Sequence, residues 1–484
     1  MYLRHCEYCV SLVTVIQFAE RQLPHPLRRR TAPVLLRLQS MLTAENDTAR
    51  AQRMALIAFV IRVVSAGIAF VSQIIQARLM GEFEYGIFAF VWVLVVVFGN
   101  LSCLGMHTAV IRFLPVHRSE NDHSLVRGLN WTVRVFAMVS ASILAAIGLA
   151  VLHFAGEKIT DYWLVPLFLG LFTLPMIALG DVLDGTARAN GWTVTALSPT
   201  YIIRPVLILA FMLLAVWIGE PRTAVTAMTA ALAATYVTTM TQFIRVTWRL
   251  RRSYGRGALR FSVLPWMKFS LPVFLVDGIG FLLTNSDVVV VGLYMPPDQV
   301  GVYYAAAKTI ALVQFVYFSV KAAAAPRFSA IMAAGDHDAL AGFAGQAARW
   351  TFWPALGVGL GVLALGEFLL SLFGSAFTSG YILMVILFAG ILTKASIGPG
   401  EVLLSMAGRQ KLCVALYSVT LAANISLNVI LIPHFGLIGA ASATAGAMVV
   451  ETILLHIAVR RVLGIVLFAF ADPRPAHKIA KAKP

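Results

Sequence analysis

The chain has 484 residues, of which 59% are hydrophobic and only 12% are charged. A soluble domain usually carries about a quarter charged residues, whereas apolar runs of about 20 residues are long enough to cross a bilayer as helices. The net charge of +16 would suggest a nucleic-acid partner in a soluble protein, but basic and aromatic residues do not interleave here. The composition therefore argues against a soluble enzyme or a nucleic-acid-binding domain and predicts an all-α polytopic membrane protein.

The chain begins with a basic tail, residues 1–53, in which no cleavable signal peptide is evident. Cys6 and Cys9 have the C-x-x-C spacing of a zinc or redox pair. No second pair of ligands follows them, so we expect two unpaired thiols and no metal site.

Twelve apolar segments follow, and we predict that each one is a transmembrane helix. Their predicted bounds are 54–75, 86–109, 131–154, 162–183, 197–218, 223–245, 269–293, 301–321, 350–373, 381–398, 412–432 and 436–459. The first six helices form an N-lobe and the last six a C-lobe, around a central cavity. The predicted domains are a tail at 1–53, the N-lobe at 54–245, a basic linker at 246–268, the C-lobe at 269–460 and a basic tail at 461–484.

The distribution of charge predicts which side of the membrane each loop faces. The two tails and the loops that follow even-numbered helices hold 30 lysines and arginines, whereas the opposite loops hold only Arg78, Lys158 and Arg222. Loops rich in lysine and arginine stay in the cytoplasm. We therefore expect both termini to be cytoplasmic.

The two halves of the chain show an internal repeat. A shift of 215 residues places "SQIIQARLMGEFEYGIFAF" (72–90) on "DVVVVGLYMPPDQVGVYYA" (287–305), so that Met80 falls on Met295 and Gly86 on Gly301. Each half has an even number of predicted helices, so the repeat is parallel. A pseudo-two-fold axis along the membrane normal should relate the two lobes.

Several segments resemble those of a known family. The turn "ARLMGEFEYGIFAF", the later "SMAGRQKL" and "NVILIPHFGLIGAASAT" (428–444) are similar in order and spacing to the polysaccharide transporter family. This family belongs to the superfamily that also contains the MATE drug exporters and the lipid II flippases. The resemblance covers about 54–460 and implies a two-lobe, alternating-access flippase of undecaprenyl-linked sugars.

Five cations lie within or near the predicted spans. A charge in the bilayer is costly and normally faces a cavity or a partner. We expect Arg134 and Lys394 to snorkel towards the cytoplasmic ends of their helices. Arg62, Arg204 and Lys308 are the candidate contacts for an anionic substrate. Arg204 precedes Pro205, and the alternatives for it are that it snorkels or that it satisfies carbonyls freed by the proline.

Arg62 begins a stripe of small and polar residues on the first helix, at helical spacing: Arg62, Ser65, Ala69, Ser72 and Gln76. The stripe predicts a cavity wall, and the alternative is a seam between helices. The 215-residue shift places Arg62 on Asp277. We hypothesise that these two charges meet in one state and separate in another, as an inner gate, whereas the alternative is that each has a local partner.

Asp287 and Lys308 flank the outer turn of the C-lobe at similar depth, and we predict that they form a buried ion pair. Asp277 and Asp287 are also the candidates for coupling transport to protons or sodium. Asp181 and Asp184 end the fourth helix, where carboxylates are usually solvated. We expect no enzymatic activity, no catalytic residue and no cofactor, because the sequence has no Walker motif, zinc-ligand spacing or nucleophile elbow.

The predicted function is the transfer of an undecaprenyl-diphosphate-linked oligosaccharide from the cytoplasmic to the outer leaflet, for exopolysaccharide, capsule or O-antigen synthesis. The expected partners are that lipid, bilayer lipids and a polysaccharide polymerase with its chain-length protein, but no nucleic acid. The main alternative is a MATE-like, ion-coupled exporter of small molecules. The cations within the spans count against an exporter of cationic drugs.

Overall fold

The computed structural model describes residues 47–156 and 159–471, and these ranges are built almost entirely from helices. The remaining residues, which include Cys6 and Cys9, lie outside the described residues. The helices are α1 Asp47–Ser102, α2 Met106–Ser119, α3 His123–Ala155, α4 Asp161–Ala189, α5 Thr193–Trp217, α6 Ala224–Tyr254, α7 Val263–Tyr294, α8 Pro297–Ala334, α9 His337–Ala364, α10 Gly366–Ser371, α11 Tyr381–Ala395, α12 Gly400–Met406 and α13 Gln410–Leu463.

Two of these helices are bent at a glycine, and each bend lets one long helix supply two membrane spans. Gly81 divides α1 with a φ of 78°, and Gly436 divides α13 with a φ of 57°. Residues with a Cβ rarely adopt this conformation. Eight helical segments, α1 and α13 among them, are long and apolar enough to cross a membrane. Each bend adds one span to this number, and α6 and α9 add one span each. The described helices therefore provide the twelve predicted spans and confirm the all-α membrane fold.

The prediction for the second span, 86–109, places its C-terminal end too far along the chain. The helix stops at Ser102, because Leu104 and Gly105 have φ values of 45° and 74° and turn the chain. The segment after this turn forms α2, which the sequence did not separate from the second span. The turn brings the start of α2 against α7.

The loops that follow the even-numbered spans of the N-lobe meet at one end of the bundle, which we call the basic end. Within the segment 246–268, proposed as a linker, α6 continues to Tyr254. The Tyr254 hydroxyl lies 2.7 Å from the amide oxygen of Asn190, just after α4. Arg260 lies 3.2 Å from Asp122, just before α3. The basic loops therefore lie side by side, as the alternation of charged and uncharged loops requires.

Asp122 also caps the start of α3. Its carboxylate accepts hydrogen bonds from the Ser124 hydroxyl and from the Leu125 N–H. These bonds, with a smaller contribution from Arg260, hold the pKa of Asp122 below its ordinary value. The cap satisfies backbone donors that the first turn of a helix leaves without partners.

At the opposite end, which carries the turns after Gly81 and Tyr294, the two lobes touch through glycines. A Cβ on Gly86 would lie 1.7 Å from the Pro297 carbonyl oxygen, and one on Gly301 would lie 2.6 Å from the Glu82 carbonyl oxygen. The backbones of α1 and α8 are therefore in direct contact. Gly86 and Gly301 are equivalent in the predicted repeat, and such a pair can face each other only near the axis that relates the two halves.

Aromatic rings and one arginine close this end around the glycine contact, and we call it the closed end. The ring of Tyr85 lies 6.1 Å from that of Tyr304 and 5.9 Å from that of Phe377. Arg78 donates hydrogen bonds of 2.6 and 2.5 Å to the carbonyl oxygens of Leu372 and Ser371. These contacts tie the N-lobe helix α1 to the C-lobe.

Glu84, which the sequence places in the same turn, has a structural role. Its carboxylate accepts a 2.7 Å hydrogen bond from the backbone N–H of Ala224, the first residue of α6. A carboxylate at this position complements the positive end of the helix dipole. The acidic turn is thus part of the packing at the closed end.

The lobes are also in contact along the second limb of α1, whereas several apolar side chains of its first limb are exposed. The second limb of α1 lies against α7, where Ser270 donates a 3.1 Å hydrogen bond to the carbonyl oxygen of Leu104. In the first limb of α1, by contrast, Val60, Val63 and Val64 are exposed, and so is Phe318 in α8.

The segment after α13 packs on the C-lobe and does not span the membrane. The backbone N–H of Ala469 donates a 2.8 Å hydrogen bond to the carbonyl oxygen of Ser396, and the ring of Phe470 lies 4.9 Å from that of Phe352. Ile465 and Leu467 are buried. The apolar character of this segment therefore comes from packing against its own lobe.

The glycine contact predicts the effect of a single methyl group. We expect Gly86→Ala to destabilise the protein by about 1–3 kcal/mol, because the new Cβ must push the α8 backbone away. Gly67→Ala is the matched control, since Gly67 is in the same helix and has no neighbour within 4 Å of the new Cβ. Thermal unfolding of the detergent-purified variants measures the difference, and equal midpoints would contradict a close approach of the lobes.

Candidate functional site

A charged cavity lies inside the C-lobe, between α7, α8, α11 and α13. It has a volume of about 170 Å³ and adjoins a second cavity of about 270 Å³, and Lys394 and Glu451 line both. Three carboxylates and three amines line the two cavities, and these are Asp287, Lys308, Lys321, Lys394, Glu401 and Glu451. The C-lobe therefore holds equal numbers of opposite charges around a polar interior.

Lys394 and Glu451 form the innermost ion pair of this cavity. Their charged atoms are 2.7 Å apart, and the Glu451 side chain is only 3% exposed. The Lys394 ammonium also lies 5.5 Å from the centre of the Tyr317 ring. The prediction that Lys394 snorkels is wrong, because a buried carboxylate on the neighbouring helix α13 is within reach.

A second pair extends the network towards the basic end. Lys321 lies 3.1 Å from Glu401, whose side chain is 8% exposed, and the hydroxyl of Tyr317 donates a hydrogen bond to the same carboxylate. Tyr317 thus touches both ion pairs. A buried carboxylate that is paired and hydrogen-bonded avoids most of the cost of leaving water.

Asp287 and Lys308 line the same cavity but are not in direct contact. The Asp287 carboxylate accepts a 2.9 Å hydrogen bond from the hydroxyl of Tyr303, which also lies 3.3 Å from that of Thr444. The Lys308 ammonium lies 5.0 Å from the centre of the Tyr304 ring. The predicted ion pair is not formed in this structure, where the Asp287 carboxylate is bonded to Tyr303 instead.

Arg204 is buried inside the N-lobe and lines neither C-lobe cavity. It is 5% exposed, and its Nε has no hydrogen-bond partner. A Cβ on Gly180 would lie 3.3 Å from its Nη2 atom, so glycine makes room for the guanidinium. The charge of Asp181 acts on Arg204 across this space. In this conformation Arg204 is held by its own lobe.

The carboxylates at the end of the fourth span are ordered, not solvated as expected, because α4 continues beyond 183. Asp181 accepts a 3.2 Å hydrogen bond from the side-chain amide of Asn100. Asp184 and Arg188 form a bidentate ion pair along α4, in which the Arg188 Nε donates a 2.9 Å hydrogen bond to Oδ1 of Asp184 and Nη2 contacts Oδ2. Both carboxylates therefore contribute to the packing of the N-lobe.

Arg62 stands apart from the rest of its stripe. Its guanidinium is exposed and lies 3.9 Å from the centre of the Tyr201 ring. Ser65, Ser72 and Gln76 are buried. The stripe is therefore mainly a seam between helices, and a cavity wall at Arg62 stays a prediction.

Asp277 has local partners on α2. Its carboxylate lies 3.1 Å from the hydroxyl of Thr108 and 3.5 Å from Nε2 of His107. Arg62 and Asp277 are therefore not paired in this structure, because the turn after Ser102 places α2 beside α7. A meeting of the two charges in another state stays a prediction.

Glu401 and Glu451 were missed by the sequence analysis, although a signal was present. Glu451 lies within the predicted span 436–459, where an unpaired carboxylate is as costly as an unpaired cation. Matching it with Lys394 would have required knowing that α11 packs against α13. Tyr317 carries no such signal, since tyrosine is common in membrane spans.

The Lys394–Glu451 pair predicts a strong non-additive effect on stability. We expect Lys394→Met alone to destabilise the protein by about 3–5 kcal/mol, because it leaves a buried carboxylate without its partner. The double variant Lys394→Met/Glu451→Met should recover most of this loss. Lys268→Met, at an exposed lysine, is the control. Thermal unfolding measures all four proteins, and a double variant that is less stable than the single one would contradict the pairing.

The chain is similar to a curated flippase over part of its length. It is 25% identical over 177 residues to a probable low-salt glycan biosynthesis flippase, Agl15, of Haloferax volcanii. The match covers 36% of this chain and 37% of that relative, so it spans well under half of either protein.

Solved transporters share the fold over most of the chain. A structure of the lipid II flippase MurJ in an inward closed conformation has a TM-score of 0.66 at 15% identity, with 84% of this chain and 87% of that chain covered. An inward-facing MATE family multidrug resistance transporter of the MOP superfamily has a TM-score of 0.69 at 13% identity, with 88% and 100% covered. At these identities the likeness concerns the fold alone.

The sequence itself matches a family model. The model is described as polysaccharide biosynthesis protein, and it matches residues 52–332, more than half of the chain. The matched segment runs from the first limb of α1 into α8 and includes the Gly86–Gly301 contact. The chain therefore belongs to the polysaccharide biosynthesis protein family.

Proposed function

We propose that this protein is a flippase that moves an undecaprenyl-diphosphate-linked oligosaccharide from the cytoplasmic to the outer leaflet of a bacterial inner membrane. The observation that carries the proposal is the charged C-lobe cavity in a member of the polysaccharide biosynthesis protein family. A diphosphate and its sugars cannot cross hydrocarbon unaided, so they need such a polar interior. The exported oligosaccharide serves exopolysaccharide, capsule or O-antigen synthesis.

The basic end faces the cytoplasm in this proposal, and both termini lie on the same side. The charge count supports this orientation, with 30 cations in one set of loops and tails and three in the other. The lipid-linked substrate is made in the leaflet at this end, so transport requires the lobes to open here and admit it. Alternating access requires that the closed end later opens and the basic end closes.

Arg62 and Lys308 are the proposed contacts for the diphosphate. Arg62 has an exposed guanidinium at the basic half of α1, and the Lys308 ammonium has no carboxylate within 4.0 Å in the described part of the chain. Arginine and lysine are both suited to phosphate. Arg204 is the third proposed contact, but it reaches the substrate only if the N-lobe rearranges, because it is buried here.

Asp287 and Asp277 are the proposed sites of ion coupling, with protons or sodium as the driving ion. Asp287 is the better placed of the two, since it lines the cavity and bonds to Tyr303. Protonation or sodium binding at this carboxylate would change its interaction with Lys308. That change would reach the substrate through the shared cavity.

An exporter of small molecules is the second candidate function. It is favoured by the shared fold with a MATE transporter and by the three carboxylates of the C-lobe cavities. In this structure Glu401 and Glu451 are already paired with lysines, so they leave little free negative charge for a cationic drug.

A polysaccharide polymerase and its chain-length protein are the proposed partners of the flippase.

The flippase proposal predicts which compound accumulates when the protein is lost. We expect depletion of the protein to leave a lipid-linked oligosaccharide in the cytoplasmic leaflet and to reduce surface polysaccharide. Mass spectrometry of extracted lipids identifies the saccharide, and re-expression of the wild-type chain is the control. Normal surface polysaccharide without accumulation would exclude this function and would favour the exporter.

The inner-gate hypothesis predicts the effect of reversing one charge. We expect Arg62→Glu to reduce transport at least tenfold, because it places a negative charge where the diphosphate enters. The variant Arg62→Glu/Asp277→Arg should regain part of the activity if the two charges meet during the cycle. The measurement is surface polysaccharide in depleted cells, and full activity of Arg62→Glu would exclude both roles.

A further inference from the structure

A basic site lies away from the C-lobe cavity, in a pocket between α3 and α6 at the basic end. The pocket has a volume of about 490 Å³ and no carboxylate among its lining residues. Four arginines line it, and these are Arg127, Arg134, Arg251 and Arg256. We call it the arginine pocket. Four cations with no anion form a strongly positive concavity.

Arg134 is the deepest of these arginines, and two of its three guanidinium nitrogens lack hydrogen-bond partners. Its Nη1 donates a 2.9 Å hydrogen bond to the hydroxyl of Thr247, but its buried Nε and Nη2 atoms have no hydrogen-bond partner. The charge of Arg251 acts on it from the rim. Unsatisfied donors on a buried cation are costly unless an anion accepts them. The guanidinium reaches Thr247 and the Phe243 ring of α6, at 5.2 Å from the ring centre, so it lies in the pocket at the basic end, and snorkelling of Arg134 stays a prediction.

Arg127 has a different role, since it holds the rim of the pocket in place. It donates hydrogen bonds of 2.9 and 3.1 Å to the carbonyl oxygens of Tyr254 and Ala258. A Cβ on Gly257 would lie 2.9 Å from the Arg127 Nη2 atom, so a glycine is needed where the rim crosses the guanidinium. The pocket is thus a built structure, with Arg251 and Arg256 exposed on its rim.

The outer wall of the pocket is apolar and faces the surroundings of the bundle. Trp131 and Val135 of α3 line it and are exposed, as is Leu259. Farther along the same helix, Val139 and Ile143 are exposed as well. The pocket therefore offers arginines to one end of an occupant and an apolar helix face to the rest of it. These two surfaces match the charged headgroup and the apolar acyl chains of a phospholipid.

We infer that the arginine pocket binds the phosphate headgroup of an anionic phospholipid from the cytoplasmic leaflet, with its acyl chains along α3. Guanidinium groups form paired hydrogen bonds with phosphate oxygens. Basic pockets between spans on the cytoplasmic side suit anionic headgroups. The exposed apolar face of α3 favours a lipid over free phosphate. The inference concerns α3 and α6 of the N-lobe and holds whichever compound is transported.

Native mass spectrometry of the full-length, detergent-purified protein with added cardiolipin tests this inference. We expect Arg134→Gln to weaken cardiolipin binding at least tenfold, about the loss expected for one charge-assisted hydrogen bond. Arg249→Gln is the matched control. Arg249 lies on α6, the helix that Arg134 contacts, and it donates a 2.9 Å hydrogen bond to the hydroxyl of Thr195. It does not line the pocket.

Two further comparisons keep the test decisive. If Arg134→Gln does not fold, Arg251→Gln/Arg256→Gln replaces it, because both rim arginines are exposed. Inorganic phosphate that competes equally with cardiolipin would exclude a lipid site. Wild-type binding by the pocket variants, or an equal loss in Arg249→Gln, would overturn the inference.

The position of the lipid can be checked separately. Trp131 lines the pocket and is half exposed, so cardiolipin with brominated chains should quench its fluorescence. We expect the quenching to fall in Trp131→Phe and to be lost in Arg251→Gln/Arg256→Gln. Unchanged quenching in both variants would place the bound lipid elsewhere.

Discussion

A charge within a membrane must have a partner or water, and this constraint explains most of the polar architecture of the protein. Glu451 is paired with Lys394, and Glu401 with Lys321. Each pair joins helices that are distant in the sequence. The pairs therefore help to define how the C-lobe helices pack, and they also create the polar cavity between them.

The two lobes are arranged by contacts of a different kind. Gly86 and Gly301 let the backbones of α1 and α8 touch at the closed end, while α7 packs along the second limb of α1. Close backbone packing through small residues is a common solution where no water drives association. These contacts lie at the closed end and along α7. The contact at the closed end is the part that alternating access would have to break.

Much of the site depends on which face of a helix a residue occupies. Asp287 and Lys308 could be assigned to similar depth from their distances to a turn, and both line the same cavity. The prediction that they pair directly was wrong, because Tyr303 of the next helix donates a hydrogen bond to the Asp287 carboxylate. Distance along a helix follows from sequence, but the partner across a gap depends on helix rotation, which the repeat alone does not provide.

The sequence by itself determined the all-α membrane class, the twelve spans and the predicted equivalence of Gly86 and Gly301, because apolar run length and an internal shift are local or periodic signals. Only the tertiary structure decided that Lys394 meets Glu451, that Arg204 is buried and that Arg134 lies in a pocket. The physical reason is that burial and ion pairing depend on neighbours from other helices, and packing, not composition, chooses those neighbours.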